Sequence, residues 1–144
     1  PASDVSAMVI GGHRDKGMVP LTRLATRNSV SVAKFLTQDV LDKVKNNTKV
    51  GGATLTKMLG TSAWYAPGAA VSSLVQSIAC NQHKMFPCSV FLDGEYNQDD
   101  ICIGVPSIIG RNGCEEIISL DLNDDEMIKF GESAEAVRRM NLAL

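Results

Sequence analysis

The apolar positions of the chain fall into three successive regimes of spacing. Over residues 5–10 they form a short, nearly continuous run closed by Gly11-Gly12, and that length and punctuation predict a buried strand rather than a helix. Met18-Val19-Pro20-Leu21 and Arg23-Leu24-Ala25-Thr26 read as further short strands, with Pro20 confined to an edge or a strand end. Asn28-Ser29 is turn-like, and Val30, Val32 and Phe35 alternate briefly. Helical spacing then takes over: Thr37 is a good N-cap ahead of Asp39, Val40, Leu41 and Val44, a helix expected to stop near Asn46-Asn47. Gly51-Gly52 reopens the chain before a second short helix over residues 53–59, interrupted at Gly60. A longer helical stripe follows at Val71, Leu74, Val75 and Ile78, and the small residues ahead of it let another body approach the backbone closely.

From Met85 the period drops to that of a strand. Residues 85–92, 101–109 and 114–122 read as three antiparallel strands in a meander, joined by turns at Asp93-Gly94-Glu95-Tyr96 and Arg111-Asn112-Gly113. Leu122-Asn123-Asp124-Asp125-Glu126 then places an N-cap and acidic residues where the dipole of a final helix favours them. Met127, Phe130, Ala134, Val137 and Met140 or Asn141 give that helix its buried face. The expected architecture is α+β, a twisted antiparallel or mixed sheet with long helices packed on it.

A chain of 144 residues is the size of one domain, so a single core is expected. Hydrophobic residues at 44% and charged residues at 21% match ordinary soluble proteins, and no apolar run approaches the roughly 20 residues of a membrane helix. With a net charge of -2 and scattered basic residues, neither a nucleic acid nor an anionic membrane is an expected partner. Cys80, Cys88, Cys102 and Cys114 show no C-x-x-C spacing and read as reduced, buried thiols, which favours the cytoplasm, with a disulfide pair as the alternative. No signal peptide is legible at Pro1, and a strand beginning so early suggests the downstream part of a longer protein.

Histidine is the side chain best suited to proton exchange near neutral pH, and the two here differ in setting. His83 lies in the polar connection Asn81-Gln82-His83-Lys84 and reads as a solvated surface residue. His13 follows a strand and two glycines, with Asp15 two positions later, and its residues alone fit either a structural or a catalytic histidine. No G-x-S-x-G elbow, H-E-x-x-H pair or G-x-G-x-x-G loop accompanies it, and no metal site is expected. Asp93, Glu95, Asp99 and Asp100 form an acidic hairpin tip explained by solvation.

Gly11-Gly12-His13-Arg14-Asp15 with Met18-Val19-Pro20 resembles the G-x-H-G-D-x-x-V-P signature of the lactate and malate dehydrogenase family. Two further stretches keep the family's order. Gly60-Thr61-Ser62-Ala63-Trp64-Tyr65-Ala66-Pro67 resembles its G-S-A-Y-Y-A-P segment, and Gly104-Val105-Pro106 with Ile109-Gly110-Arg111-Asn112-Gly113 resembles its G-V-P-x-x-L-G-x-x-G hairpin. The resemblance spans the whole chain but only the family's C-terminal, catalytic half, and it leans towards the bacterial malate dehydrogenases. It implies His13 as proton donor and acceptor in the interconversion of malate and oxaloacetate with NAD. Met18, Ser62, Ala63 and Pro67 would border substrate and nicotinamide. Arg14 stands where the family has glycine, and Lys16-Gly17 makes the loop one residue longer. The family's dinucleotide-binding half, orienting aspartate and substrate-clamping arginines all precede this region, so the chain alone is expected to be inactive. The implied partners are its own N-terminal domain, a small 2-hydroxy or 2-keto acid, and further copies in a homo-oligomer. The alternatives are a lactate dehydrogenase domain and a non-catalytic oligomerisation module.

Overall fold

The computed structural model describes residues 1–13 and 17–143, which form two compact units, Pro1–Gly51 with Leu122–Leu144, and Gly52–Asp121. In the first, β1 (Val5–Ser6) pairs antiparallel with β4 (Thr26–Arg27), which pairs with β5 (Val30–Ser31). The turn between β4 and β5 is Asn28-Ser29 with φ of 47° and 69°, the positive angles that two-residue hairpin turns need. A separate hairpin joins β2 (Val9–Gly11) to β3 (Met18–Pro20), with Ile10 opposite Val19 and Gly11 opposite Met18. Pro20 ends β3, as its missing N–H requires. The stretch read as a strand from Arg23 is instead a 3₁₀ turn, Thr22–Leu24, and a second such turn, Val32–Lys34, replaces the alternation after β5.

α1 (Gln38–Leu59) is one helix of 22 residues and runs through both predicted stops. Asn46, Asn47, Gly51 and Gly52 are only weakly unfavourable inside a helix, at up to about 1 kcal/mol each, and none removes an N–H as proline would. Thr48 returns its hydroxyl to the Val44 carbonyl (2.8 Å), satisfying itself along the helix. α3 (Asp124–Asn141) begins as read: the Asn123 side chain accepts from the Glu126 N–H (2.9 Å) and Glu126 accepts from the Asn123 N–H (3.0 Å), a reciprocal capping box. It packs on β2 and β3. Ile10, Val19, Leu21, Phe130 and Ala134 are buried, whereas Met140, assigned to the same face, is exposed near the fraying end.

The second unit contains the meander. β6 (Lys84–Asp93) pairs with β7 (Asp99–Gly110), which pairs with β8 (Gly113–Ile117), all antiparallel. Strand alternation buries Ile101, Ile103 and Val105 and turns Cys102 outward. That geometry corrects the buried-cysteine reading: all four thiols are free, but Cys80, Cys102 and Cys114 are exposed and only Cys88 is half-buried. β8 stops five residues short of its predicted end at 122, because the Tyr96 hydroxyl takes over the exit segment, donating to the Ile118 carbonyl (2.6 Å) and accepting from the Leu120 N–H (3.0 Å). α2 (Tyr65–Ala79) packs on β7 through buried Ser77, whose hydroxyl donates to the Ile109 carbonyl (2.7 Å). Val71 and Val75, read as part of its buried stripe, are exposed, since the contacting face runs through Leu74, Ser77 and Ile78.

Candidate active site around His13

β2 and β3 deliver His13 to the end of a hairpin. Ile10 and Val19 face each other and are buried at 1% and 5% exposure, so the strands below the loop are fixed by burial. Above them the two arms close on each other. Gly11 has φ +92°, and a Cβ there would lie 2.3 Å from the Gly17 carbonyl oxygen and 2.8 Å from the Ser133 hydroxyl. A Cβ on Gly17 would in turn meet the Gly12 carbonyl oxygen at 3.0 Å. Glycine is therefore a packing requirement on both arms.

His13 is the first residue past this neck and is exposed. Ser133, on α3, closes the neck from behind: it accepts from the Gly12 N–H (2.8 Å) and donates to the Gly17 carbonyl (2.6 Å). The sequence reading missed Ser133. A signal was present, because it sits three residues after Phe130 and four before Val137 on the apolar stripe of the helix, where a hydroxyl needs a partner. Arg14, Asp15 and Lys16 lie outside the described residues, and of the departures from the family loop only Gly17 is described.

Met18 shares the hairpin with His13 and is half-buried opposite Gly11. The other expected site residues form a separate group in the second unit. Ser62 is exposed and Ala63 half-buried in the segment before α2, and Pro67 is exposed in the first turn of that helix, where proline costs no hydrogen bond. Trp64 and Tyr65 stand edge to face with centroids 6.3 Å apart, 67% and 87% exposed. His83 is exposed, as read, but its Nδ1 lies 2.8 Å from the Glu115 carboxylate.

Among the described residues no group of three or more His, Cys, Asp or Glu side chains could hold a metal, and no helix is long and apolar enough to cross a membrane. Nor do the described glycines build a dinucleotide cradle: Gly11-Gly12 end a hairpin strand and Gly51-Gly52 lie inside α1, whereas a phosphate cradle needs a glycine loop opening a helix. The first unit has a cleft of about 390 Å³ lined by Lys45, Lys49 and Lys129. It contains neither His13 nor Met18, and its Arg23 and Lys129 are already paired with Glu126 and Asp125.

Residues 1–140 match the family described as lactate/malate dehydrogenase, alpha/beta C-terminal domain. The chain belongs to this family. It is 64% identical over 144 residues to the malate dehydrogenase of Flavobacterium johnsoniae, covering 100% of this chain and 46% of that protein. The solved malate dehydrogenase of Aeropyrum pernix superposes with a TM-score of 0.95 at 34% identity, covering 100% of this chain and 48% of that one. A lactate dehydrogenase of Cryptosporidium parvum, complexed with lactic acid and nicotinamide adenine dinucleotide, gives 0.95 at 36% identity over 99% and 47% of the two chains. The α+β fold read from the sequence is thus that of the lactate/malate dehydrogenases, and the chain spans about half the length of the relatives it matches.

Proposed function

We propose that this chain is the catalytic, substrate-binding C-terminal part of a cytoplasmic, homo-oligomeric malate dehydrogenase, with His13 as its proton donor and acceptor. The observation that carries the reading is the setting of His13: an exposed imidazole one residue beyond a glycine neck bonded to Ser133. NAD, held mainly by an upstream dinucleotide-binding half, supplies the hydride acceptor. The task of this chain is the proton. Converting a 2-hydroxyl to a 2-keto group leaves a hydroxyl proton that must go as the carbon is oxidised, because a free alkoxide is too basic to accumulate. The neutral His13 imidazole takes that proton, and in the reverse direction the imidazolium returns it to the oxygen of oxaloacetate. Met18, Ser62, Ala63 and Pro67 border the substrate and nicotinamide. The exposed apolar residues Met58, Leu59, Val71 and Val75 support covering of these helices by the upstream half and by a second copy. Malate is favoured over lactate because the relative at 64% identity is a malate dehydrogenase, while the lactate dehydrogenase stands at 36%.

The test joins this chain to the upstream half of the Flavobacterium johnsoniae enzyme and follows NADH oxidation with oxaloacetate and with pyruvate. Oxaloacetate should turn over faster, and His13→Asn should lower kcat by roughly 10³-fold or more while leaving NADH binding intact, the scale of losing a general acid–base group. No turnover with either substrate refutes the dehydrogenase reading, and faster turnover of pyruvate makes it a lactate dehydrogenase. Activity retained in His13→Asn returns His13 to a structural role.

A further inference from the structure

We infer that Ser133 is a positioning residue for His13, acting through the backbone of the hairpin neck. The inference rests on the catalytic reading of His13. Ser133 is 1% exposed, and its single hydroxyl is both acceptor and donor across the neck, from the Gly12 N–H at 2.8 Å and to the Gly17 carbonyl at 2.6 Å. The Gly12 N–H belongs to the Gly11–Gly12 peptide, so the backbone plane one residue before His13 is tied to α3.

Three features distinguish this from an ordinary buried serine. Its hydroxyl bonds one group on each arm of the neck, the Gly12 N–H and the Gly17 carbonyl. The neck has no slack: a Cβ on Gly12 would lie 3.0 Å from Val137 Cγ2, and one on Gly11 would lie 2.8 Å from the Ser133 hydroxyl oxygen. Finally, Met18 lies directly across from Gly11, so the same hydroxyl sets the spacing of both arms that carry site residues. With the hydroxyl gone, the Gly12 N–H and the Gly17 carbonyl each lose their partner, and the arms must open to admit water. Displacing a reacting group by about 1 Å costs on the order of 10²-fold in rate. Ser133 touches no substrate in this account.

The experiment uses the joined full-length enzyme and compares Ser133→Ala, Ser133→Thr and Ser77→Ala. Ser77 is a second fully buried serine, bonded to a strand carbonyl in the other unit, and its loss controls for simple destabilisation. Ser133→Ala is expected to lower kcat by roughly 10-fold to 100-fold at temperatures where it is fully folded, with KM for NADH within about 2-fold of the parent. Ser133→Thr, which keeps the hydroxyl, should recover most of that loss, and Ser77→Ala should lower the melting temperature without moving kcat. Full kcat in Ser133→Ala, or an equal fall in Ser77→Ala, overturns the inference. The His13→Asn variant separates the two layers of argument. If it loses turnover while Ser133→Ala does not, only the role of Ser133 fails, whereas turnover retained in His13→Asn removes the catalytic reading beneath it.

Discussion

Glu126→Gln isolates one charge in the first unit while keeping the shape around it. In the parent, Arg23 reaches the carboxylate three times: Nε to Oε1 at 3.2 Å, Nε to Oε2 at 3.3 Å, and Nη2 to Oε2 at 2.8 Å. Oε2 also accepts the Asn123 N–H, which a glutamine carbonyl can still do. A charge-assisted hydrogen bond is worth about 1.5–3 kcal/mol. The Arg23 side chain is 45% exposed and the Glu126 side chain 11%, so solvent screens one end of the pair and the lower half of that range applies. The expected loss is therefore about 1.5 kcal/mol near neutral pH, a fall in Tm of roughly 5 °C for a chain of this size. Burial pushes the Glu126 carboxyl up, but the Arg23 hydrogen bonds, the Asn123 N–H and the charges of Arg23 and Lys45 outweigh it and hold the group below the usual carboxylate range. A depressed acid contributes stability above its unfolded pKa of about 4.3 and loses it as the pH falls towards the folded value. Urea titrations of parent and variant should thus differ fully near neutrality and converge progressively below about pH 4. An undiminished gap at about pH 3, or no gap at neutrality, refutes this account of the pair.

Tyr96→Phe removes both hydroxyl bonds to the exit of β8 and should cost about 1–3 kcal/mol in urea titration. Burial raises the Tyr96 pKa against the opposing pull of the Leu120 N–H. The parent should consequently lose stability above about pH 10 that the variant does not lose. Gly11→Ala should cost at least about 2 kcal/mol, from positive φ together with the contact on the Gly17 carbonyl, and should lower kcat in the joined enzyme. A thiol reagent should modify Cys80, Cys102 and Cys114 quickly and Cys88 last, because burial raises its pKa and leaves less thiolate. Rates equal for all four would contradict the placement of Cys88.

What could be read from the sequence divides along physical lines. Signals confined to a few neighbouring residues survived intact: the Asn28-Ser29 turn, the Gly113 hairpin with φ +91°, and the Asn123 capping box all depend on local geometry. The meander was legible because period two is unambiguous in a stretch rich in Ile, Val and Phe. The breaks assigned within α1 failed because asparagine and glycine lower helix propensity without forbidding the helix, and a weak penalty does not terminate 22 residues. Exposure of Cys102, Val71 and Val75 depends on which face meets a neighbour, a long-range property. For the candidate site, residue type singled out His13 without deciding its role, and Met18 entered only through the family resemblance. Ser133 was missed, since its partners lie at the opposite end of the chain.

That separation also orders events during synthesis. The neck bond from Gly12 to Ser133 spans 121 positions, and the whole of the second unit is encoded between them. A ribosome adding about 5–20 residues per second leaves the histidine hairpin without its clasp for roughly 6 to 24 seconds after Gly12 is made. Residues 52–121 contain the β6–β7 and β7–β8 pairings and can form them in that interval, whereas the neck of the first unit lacks Ser133 until α3 emerges. The glycine neck beside His13 is thus among the last parts of the nascent chain to acquire its final bonds.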